Sequence, residues 1–243
     1  MALSLIIILT IATLFTTILS GMIGMGGGVV LLAFMTLFIP LQLIIPIHGV
    51  VQLVSNVSRA SLLPSFIHRK LVLWFALGLP LGAFPAMMVL KSVESEKPFL
   101  VLIVGLILYA IFKPKSLPEL KLPLWGFAGV GAAVGFLSPL VGATGPFLAP
   151  FFLRKDFEKE TIVATKAAVQ VLGHVLKIPV FLHLGFDYAA YTLPILTMSL
   201  VALVGSKIGI ELLKRMSTDL FRWLFKGALF LSALRIMYKI LVL

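Results

Sequence analysis

Residues 21–32 read GMIGMGGGVVLL. Gly21, Gly24, Gly26, Gly27 and Gly28 stand inside an apolar run that otherwise asks for a helix. Glycine costs roughly 1 kcal/mol per residue against alanine in a helix interior, so three in succession predict an intended break. What surrounds the break decides the fold. The chain has 243 residues, 60% hydrophobic and 12% charged, with a mean hydropathy of +1.15. A soluble domain carries about twice that share of charge. Runs such as LSLIIILTIATLFTTIL (3–19) and PFLVLIVGLILYAIF (98–112) approach the roughly 20 residues that a helix needs to cross a bilayer core. The alternation of membrane β-strands is absent. An all-α polytopic membrane protein is expected.

The chain has no cysteine, which removes disulfides, iron–sulfur clusters, thiolate metal sites and cysteine catalysis. The first twenty residues carry no Lys or Arg ahead of the apolar stretch, so they are read as the first helix of the mature protein rather than a cleaved signal. The net charge is +11. Its Lys and Arg residues are spread over short loops and apolar helices, without a soluble basic domain, which argues for membrane orientation and an anionic substrate and against nucleic acid. No cofactor is expected.

Sliding the sequence along itself gives an ordered self-match. Gly28 falls on Gly145, Gln52 on Gln170, Gly82 on Gly205, and Phe99 and Gly105 on Phe221 and Gly227, with offsets of 117 to 123 residues. The stretch KPKSLPELKLP (113–123) is charged and proline-rich, as a boundary should be. Residues 1–112 form a first repeat, 113–121 a cytoplasmic linker and 122–243 a second repeat, together one membrane domain. The first repeat is expected to hold helices near Leu3 to Ile23, Val29 to Ile39, Pro46 to Phe66, Leu71 to Leu90 and Pro98 to Phe112. The second holds Leu122 to Val141, Pro146 to Leu153, Thr161 to Leu184, Tyr188 to Leu213 and Leu220 to Leu241. That makes about eight full spans and two short half-helices.

Five elements per repeat is an odd number, so the repeats should face opposite ways. Loop charges agree with inversion. The uncharged loop 41–45 corresponds to RKDFEKE (154–160), and the loop with Arg69 and Lys70 corresponds to HLGFDY (183–188). Equivalent loops thus carry opposite bias under the positive-inside rule. Both termini are expected outside the inner membrane of the cell.

Inverted repeats whose corresponding helices are broken by glycine point to a transporter with its site near the bilayer midplane. A break at Gly26, Gly27 and Gly28 frees backbone N–H groups at a helix start, where partial positive charge favours anions. The second repeat offers GATGPFLAP (142–150), with Gly142 and Gly145 at the turn and Pro146 suited to a first helical position. Close helix packing through Gly24 and Gly28 is the competing reading. For Gly78/Gly82 and Gly205/Gly209, packing is preferred.

A stronger signal lies one helix later. His48, Gln52, Asn56 and Arg59 follow at spacings of 4, 4 and 3, which puts them on one helix face. Lys166, Gln170, His174 and Lys177 repeat that spacing, and all four pairs share the offset 118 (170 − 52 = 118). Lipid cannot satisfy such groups, so the stripe must face protein or water. Its charges are all positive, and Asn, Gln and Arg can donate hydrogen bonds to an anion's oxygens. Snorkelling of Arg59 and Lys177 to an interface and a structural role for His174 are the alternatives. Lys207, Lys226 and Arg235 have no matched partner in the other repeat and are left outside the site.

These residues carry a resemblance. GMIGMGGGVVLLAFM (21–35), the related GATGPFLAPFFL (142–153) and the Gln-containing helix after each resemble the TauE/SafE sulfite exporter family of anion permeases, over nearly the whole chain. The resemblance implies an inner-membrane transporter with two related halves that moves sulfite, organosulfonates such as sulfoacetate, or other small sulfur oxyanions. The family's glycine motif maps onto Gly26, Gly27 and Gly28. In the second repeat Ala143 and Thr144 replace glycines, and Thr144 offers a hydroxyl donor instead.

The expected function is therefore a secondary transporter for small sulfur oxyanions, working by alternating access around a central cationic site. Its candidate substrate-binding residues are Gly26, Gly27, Gly28, Gln52, Asn56, Arg59, Thr144, Gly145, Gln170, His174 and Lys177. Partners are a small anion and the lipid bilayer, and a homodimer is admitted. His174 is the candidate proton site if transport is coupled. A passive anion channel, or a carrier of another anion such as thiosulfate or a carboxylate, shares these features. An intramembrane enzyme does not fit, because the nine acids lie almost all at loops or helix ends, where general acid and base groups cannot converge in the membrane. No metal site or catalytic residue is expected.

Overall fold

The computed structural model describes residues 1–35, 37–92, 97, 101, 104–105, 108, 112, 121–152, 154 and 156–242. Among them every regular element is helical. In chain order these are α1 (Leu3–Ile23), α2 (Gly27–Met35), α3 (Leu41–Leu62), α4 (Arg69–Ser92), α5 (Gly126–Val141), α6 (Gly145–Phe152), α7 (Lys159–His183), α8 (Thr192–Arg215) and α9 (Thr218–Val242). Two short 3₁₀ turns, Pro64–Phe66 and Ala189–Tyr191, precede α4 and α8. The expected helix 98–112, apart from a few single residues, and the linker 113–120 lie outside the described residues.

Four helical segments are long and apolar enough to cross a membrane: Leu3–Ile23, Arg69–Leu90, Lys159–His183 and Ala189–Arg215. The eight full spans of the sequence reading are thus matched among the described residues by four. Helix α3 is 22 residues long, but His48, Gln52, Asn56 and Arg59 lower its apolar character. The outward surface is apolar, the reverse of a soluble protein. Leu73, Leu77, Leu81, Phe84 and Met88 form an exposed stripe along α4, and Leu193, Leu196, Leu200 and Leu203 do so along α8. Such faces meet lipid. Three threonines of α1 bond back to their own helix instead: Thr13 donates to Leu9 O, Thr16 to Ala12 O and Thr17 to Thr13 O.

Small residues decide which helices meet. Between lipid-embedded helices there is little hydrophobic drive, and association relies on close backbone contact. Gly21 of α1 lies against Gly209 and Ser206 of α8, while Gly205 faces Leu14 and Thr17. On the other side of the bundle Gly78 and Gly82 of α4 press on Ala128 and Ala132 of α5, and Gly131 and Gly135 answer against Phe75 and Leu79. The packing role read for Gly78/Gly82 and Gly205/Gly209 is what the structure has. Helices α3 and α7 lie together between these two pairs.

Several boundaries differ from expectation for local reasons. Helix α3 begins at Leu41, with Pro40 as its extended N-cap, and Pro46 lies inside it. Proline there removes one backbone donor; the carbonyl it would have served belongs to the exposed Gln42. Helix α2 takes in Gly27 and Gly28 rather than starting at Val29, and Val30 N donates to Gly26 O in its first turn. Helix α5 starts at Gly126 rather than Leu122, after a turn in which Gly126 N bonds Pro123 O.

Candidate functional site

The two glycine stretches end helices in the same way. Gly24 closes α1 with φ 77° and donates to Ser20 O at 2.8 Å; Gly142 closes α5 with φ 77° and donates to Ser138 O at 3.1 Å. That left-handed backbone is one that glycine adopts at no steric cost. Each chain then turns directly into a short helix, α2 or α6, whose first N–H groups have no intrahelical acceptor.

Between the two breaks lies a small cavity. It is bounded by Ser20, Gly24, Met25, Gly26, Gly28 and Val29 around the first break, by His48, Gln52 and Arg59 of α3, by Ala143 and Gly145 at the second, and by Gln170 and His174 of α7. Its volume for water-sized occupants is about 20 Å³, room for about one water. Each glutamine packs on the start of the short helix of its own half. A Cβ added to Gly28 would lie 3.1 Å from Gln52 Oε1, and one added to Gly145 would lie 3.5 Å from Gln170 Nε2.

The polar lining is only partly satisfied. His48 Nε2 lies 2.8 Å from Gly28 O, and since a carbonyl can only accept, this nitrogen carries the hydrogen. Arg59 donates to Ser55 Oγ at 2.9 Å and to Asn56 Oδ1, while Asn56 Nδ2 donates to Gln52 O at 2.7 Å. Ser55 in turn bonds Ser206 of α8 at 3.0 Å. Three buried nitrogens on the lining residues have no partner among the described residues: His48 Nδ1, Gln52 Nε2 and Arg59 Nε. Leaving a buried donor unmade costs about 1–3 kcal/mol, more when it is charged.

Charge is equally one-sided. Arg59 is 2% exposed and Lys177 1%, so neither snorkels. Lys166 is buried close enough to Arg59 for their charges to repel. The ion pairs among the described residues, Arg154 with Asp156, Lys159 with Glu160 and Lys214 with Glu211, are all at loops and helix ends. None of them reaches Arg59 or Lys177. No group of three or more His, Cys, Asp or Glu that could hold a metal occurs among the described residues.

Of the residues expected to form a site, Gly26, Gly28, Gln52, Arg59, Gly145, Gln170 and His174 line the cavity together. The other four stand behind it. Gly27 packs on Thr16 and Ser20 of α1. Asn56 orients Arg59, and Thr144 accepts Leu148 N at the start of α6 through its backbone carbonyl. Lys177 donates to Gly142 O, at the negative end of α5, and to His174 Nδ1 at 3.4 Å. A lysine on the last carbonyls of a helix is a favourable cap. His48 belongs to the same stripe but was not among the site candidates, although its spacing from Gln52 marks it. Ser20, Met25 and Ala143 carry no signal in the sequence that could have found them.

Apolar helices, two of them short and entered through glycine breaks, enclosing a buried basic cavity, make this a multi-pass membrane protein of the transporter class. The chain belongs to the sulfite exporter TauE/SafE family, whose family model matches residues 9–236. No curated protein and no solved structure matches it.

Proposed function

We propose that this protein is a secondary transporter of small sulfur-containing oxyanions, in which the anion occupies the cavity between the two helix breaks. The observation that carries this reading is the set of buried, unpartnered nitrogens on Gln52, Arg59 and His48 beside uncompensated positive charge. An oxyanion supplies what Gln52 and Arg59 lack, oxygens to accept and a negative charge to pair. Around it, the two inverted repeats read in the sequence are supported by the matching caps at Gly24 and Gly142 and by the matching Gly28/Gln52 and Gly145/Gln170 contacts. With both termini outside the inner membrane, the Arg59 end of α3 faces the cytoplasm.

Transport follows alternating access. The pairs α1/α8 and α4/α5, each locked by glycine contacts, are the bodies that move, with the α3/α7 seam and the anion between them. Export of an anion runs with an inside-negative potential, by about 2.3 kcal/mol per charge per 100 mV. No coupling ion is needed for that direction.

The test is counterflow in proteoliposomes loaded with sulfite, sulfoacetate, thiosulfate or a carboxylate, with the Gln52→Leu and Arg59→Ala variants alongside. Saturable exchange selective for sulfur oxyanions and lowered at least about tenfold in each variant is expected, since each removes a hydrogen bond to a charged partner worth about 1.5–3 kcal/mol. Flux without counterflow identifies a channel. Undiminished exchange in both variants places the anion elsewhere.

A further inference from the structure

The lining offers an incoming anion two kinds of group, and the second kind is the informative one. Gln52 Nε2 and Arg59 Nε are donors whatever their surroundings. His48 is different. Its Nε2 is committed to the carbonyl of Gly28 at 2.8 Å, so in the neutral ring the remaining nitrogen, Nδ1, bears a lone pair and can only accept. That Nδ1 is buried and has no partner among the described residues, and His48 lines the cavity. An ordinary oxyanion has no hydrogen to give it and would set oxygen lone pairs against it.

The groups facing His48 do not supply the missing donor. From α7 it meets the His174 ring, edge-on at 6.3 Å between centroids, and the charge of Lys177. The Lys177 ammonium is turned to Gly142 O and His174 Nδ1, and it already provides positive charge at this level. On α3 itself, the two terminal nitrogens of Arg59 are taken by Ser55 and Asn56, and its Nε makes no bond to His48. Helices α1, α2, α5 and α6 carry no titratable residue.

We propose that the site selects a compact oxyanion that carries its own O–H, with Gln52 and Arg59 donating to its bare oxygens and His48 Nδ1 accepting its hydroxyl hydrogen. Resting on the transport reading above, this narrows the substrate class to singly protonated oxyanions. For sulfite it means hydrogensulfite, the species that dominates on the acid side of sulfite's second ionisation. His48 becomes a specificity-determining residue, and sulfonates and sulfite dianion, which have no hydroxyl, become poor ligands.

The clean comparison is hydrogensulfite against methanesulfinate. The latter replaces the hydroxyl by a methyl group and stays a monoanion through neutral pH. Counterflow of radiolabelled sulfite is followed in proteoliposomes at equal pH on both sides, over a pH series, with methanesulfinate as competitor. In the wild-type protein the exchange rate follows the hydrogensulfite fraction, and methanesulfinate competes at least about tenfold more weakly, because it leaves the buried acceptor unpaired. The methanesulfinate inhibition constant, referred to the hydrogensulfite concentration, stays flat with pH. In His48→Leu, which offers the hydroxyl no acceptor, the tenfold gap closes.

Equal competition by methanesulfinate in the wild type, or rates that follow the dianion, overturns the proposal and leaves the transport reading standing. Absence of sulfite exchange at every pH removes both. The wild-type arm decides the matter by itself if His48→Leu does not fold.

Discussion

Replacing Gly209 by alanine tests the packing that holds the bundle together. A Cβ on Gly209 would meet Ile18 O, Gly21 Cα at 2.7 Å and Met22 N at 2.9 Å. All three are backbone atoms of α1, so no side chain can swing away, and the two helices must separate by roughly 1 Å to restore ordinary contact. A gap of that size forfeits a quarter to a half of the dispersion energy along the seam. Overpacking of this kind costs about 1–3 kcal/mol, which for a chain of this length lowers Tm by about 2 to 12 °C. The matched control is Gly129→Ala on α5. Gly129 is exposed and has nothing within 4 Å of an added Cβ, so alanine there gains helix propensity and holds or raises Tm. Both variants are to be compared by thermal unfolding in detergent. A Gly209→Ala transition coincident with that of Gly129→Ala would refute the claim that glycine contact at α1/α8 carries stability.

Two further outcomes follow from the helix ends. Lys159 donates to the Leu213 and Met216 carbonyls at the C-terminus of α8. Lys159→Met should therefore cost about 1.5–3 kcal/mol of local stability and speed hydrogen exchange at 213–217, whereas unchanged exchange there would show the anchor to be idle. In the loop before α7, a hydrogen bond from the Arg154 guanidinium holds the Asp156 carboxyl below the usual carboxylate range. A depressed value means stability that is present above the unfolded-state pKa and lost as pH falls through the folded one. Asp156→Asn is thus expected to have a lower Tm than the parent at neutral pH, with the gap closing as the pH is brought down into the carboxylate range; a gap independent of pH would contradict the pairing.

Local chemistry was the legible part of this protein. The glycine runs announced two helix ends, and Gly24 and Gly142 have the positive φ that such ends require. The 4, 4, 3 spacing announced a buried face, and His48, Gln52, Asn56 and Arg59 are all buried on α3. What spacing could not convey is which groups of that face meet the cavity and which meet protein. Lys177 and Gln170 are read alike from the sequence, yet one caps α5 through Gly142 and the other lines the cavity. That difference depends on where another helix stops, 35 residues earlier in the chain. The pairing of α1 with α8 and of α4 with α5 was likewise out of reach: a glycine stripe states that a close partner exists without saying which.

That crossed pairing bears on how the protein is made. Helix α1 ends at Ile23 and its glycine-matched partner α8 begins at Thr192, 169 positions later (192 − 23 = 169). At typical rates of synthesis this is on the order of 10 to 30 seconds. Through that interval Gly21 and the threonine face of α1 have no α8 to close on, and the nascent helix waits in lipid with its small-residue groove open. Helix α4 waits far less, since α5 is the next described helix of the chain. Assembly therefore completes from the middle of the sequence outward, and α1 is among the last of the described helices to find its place.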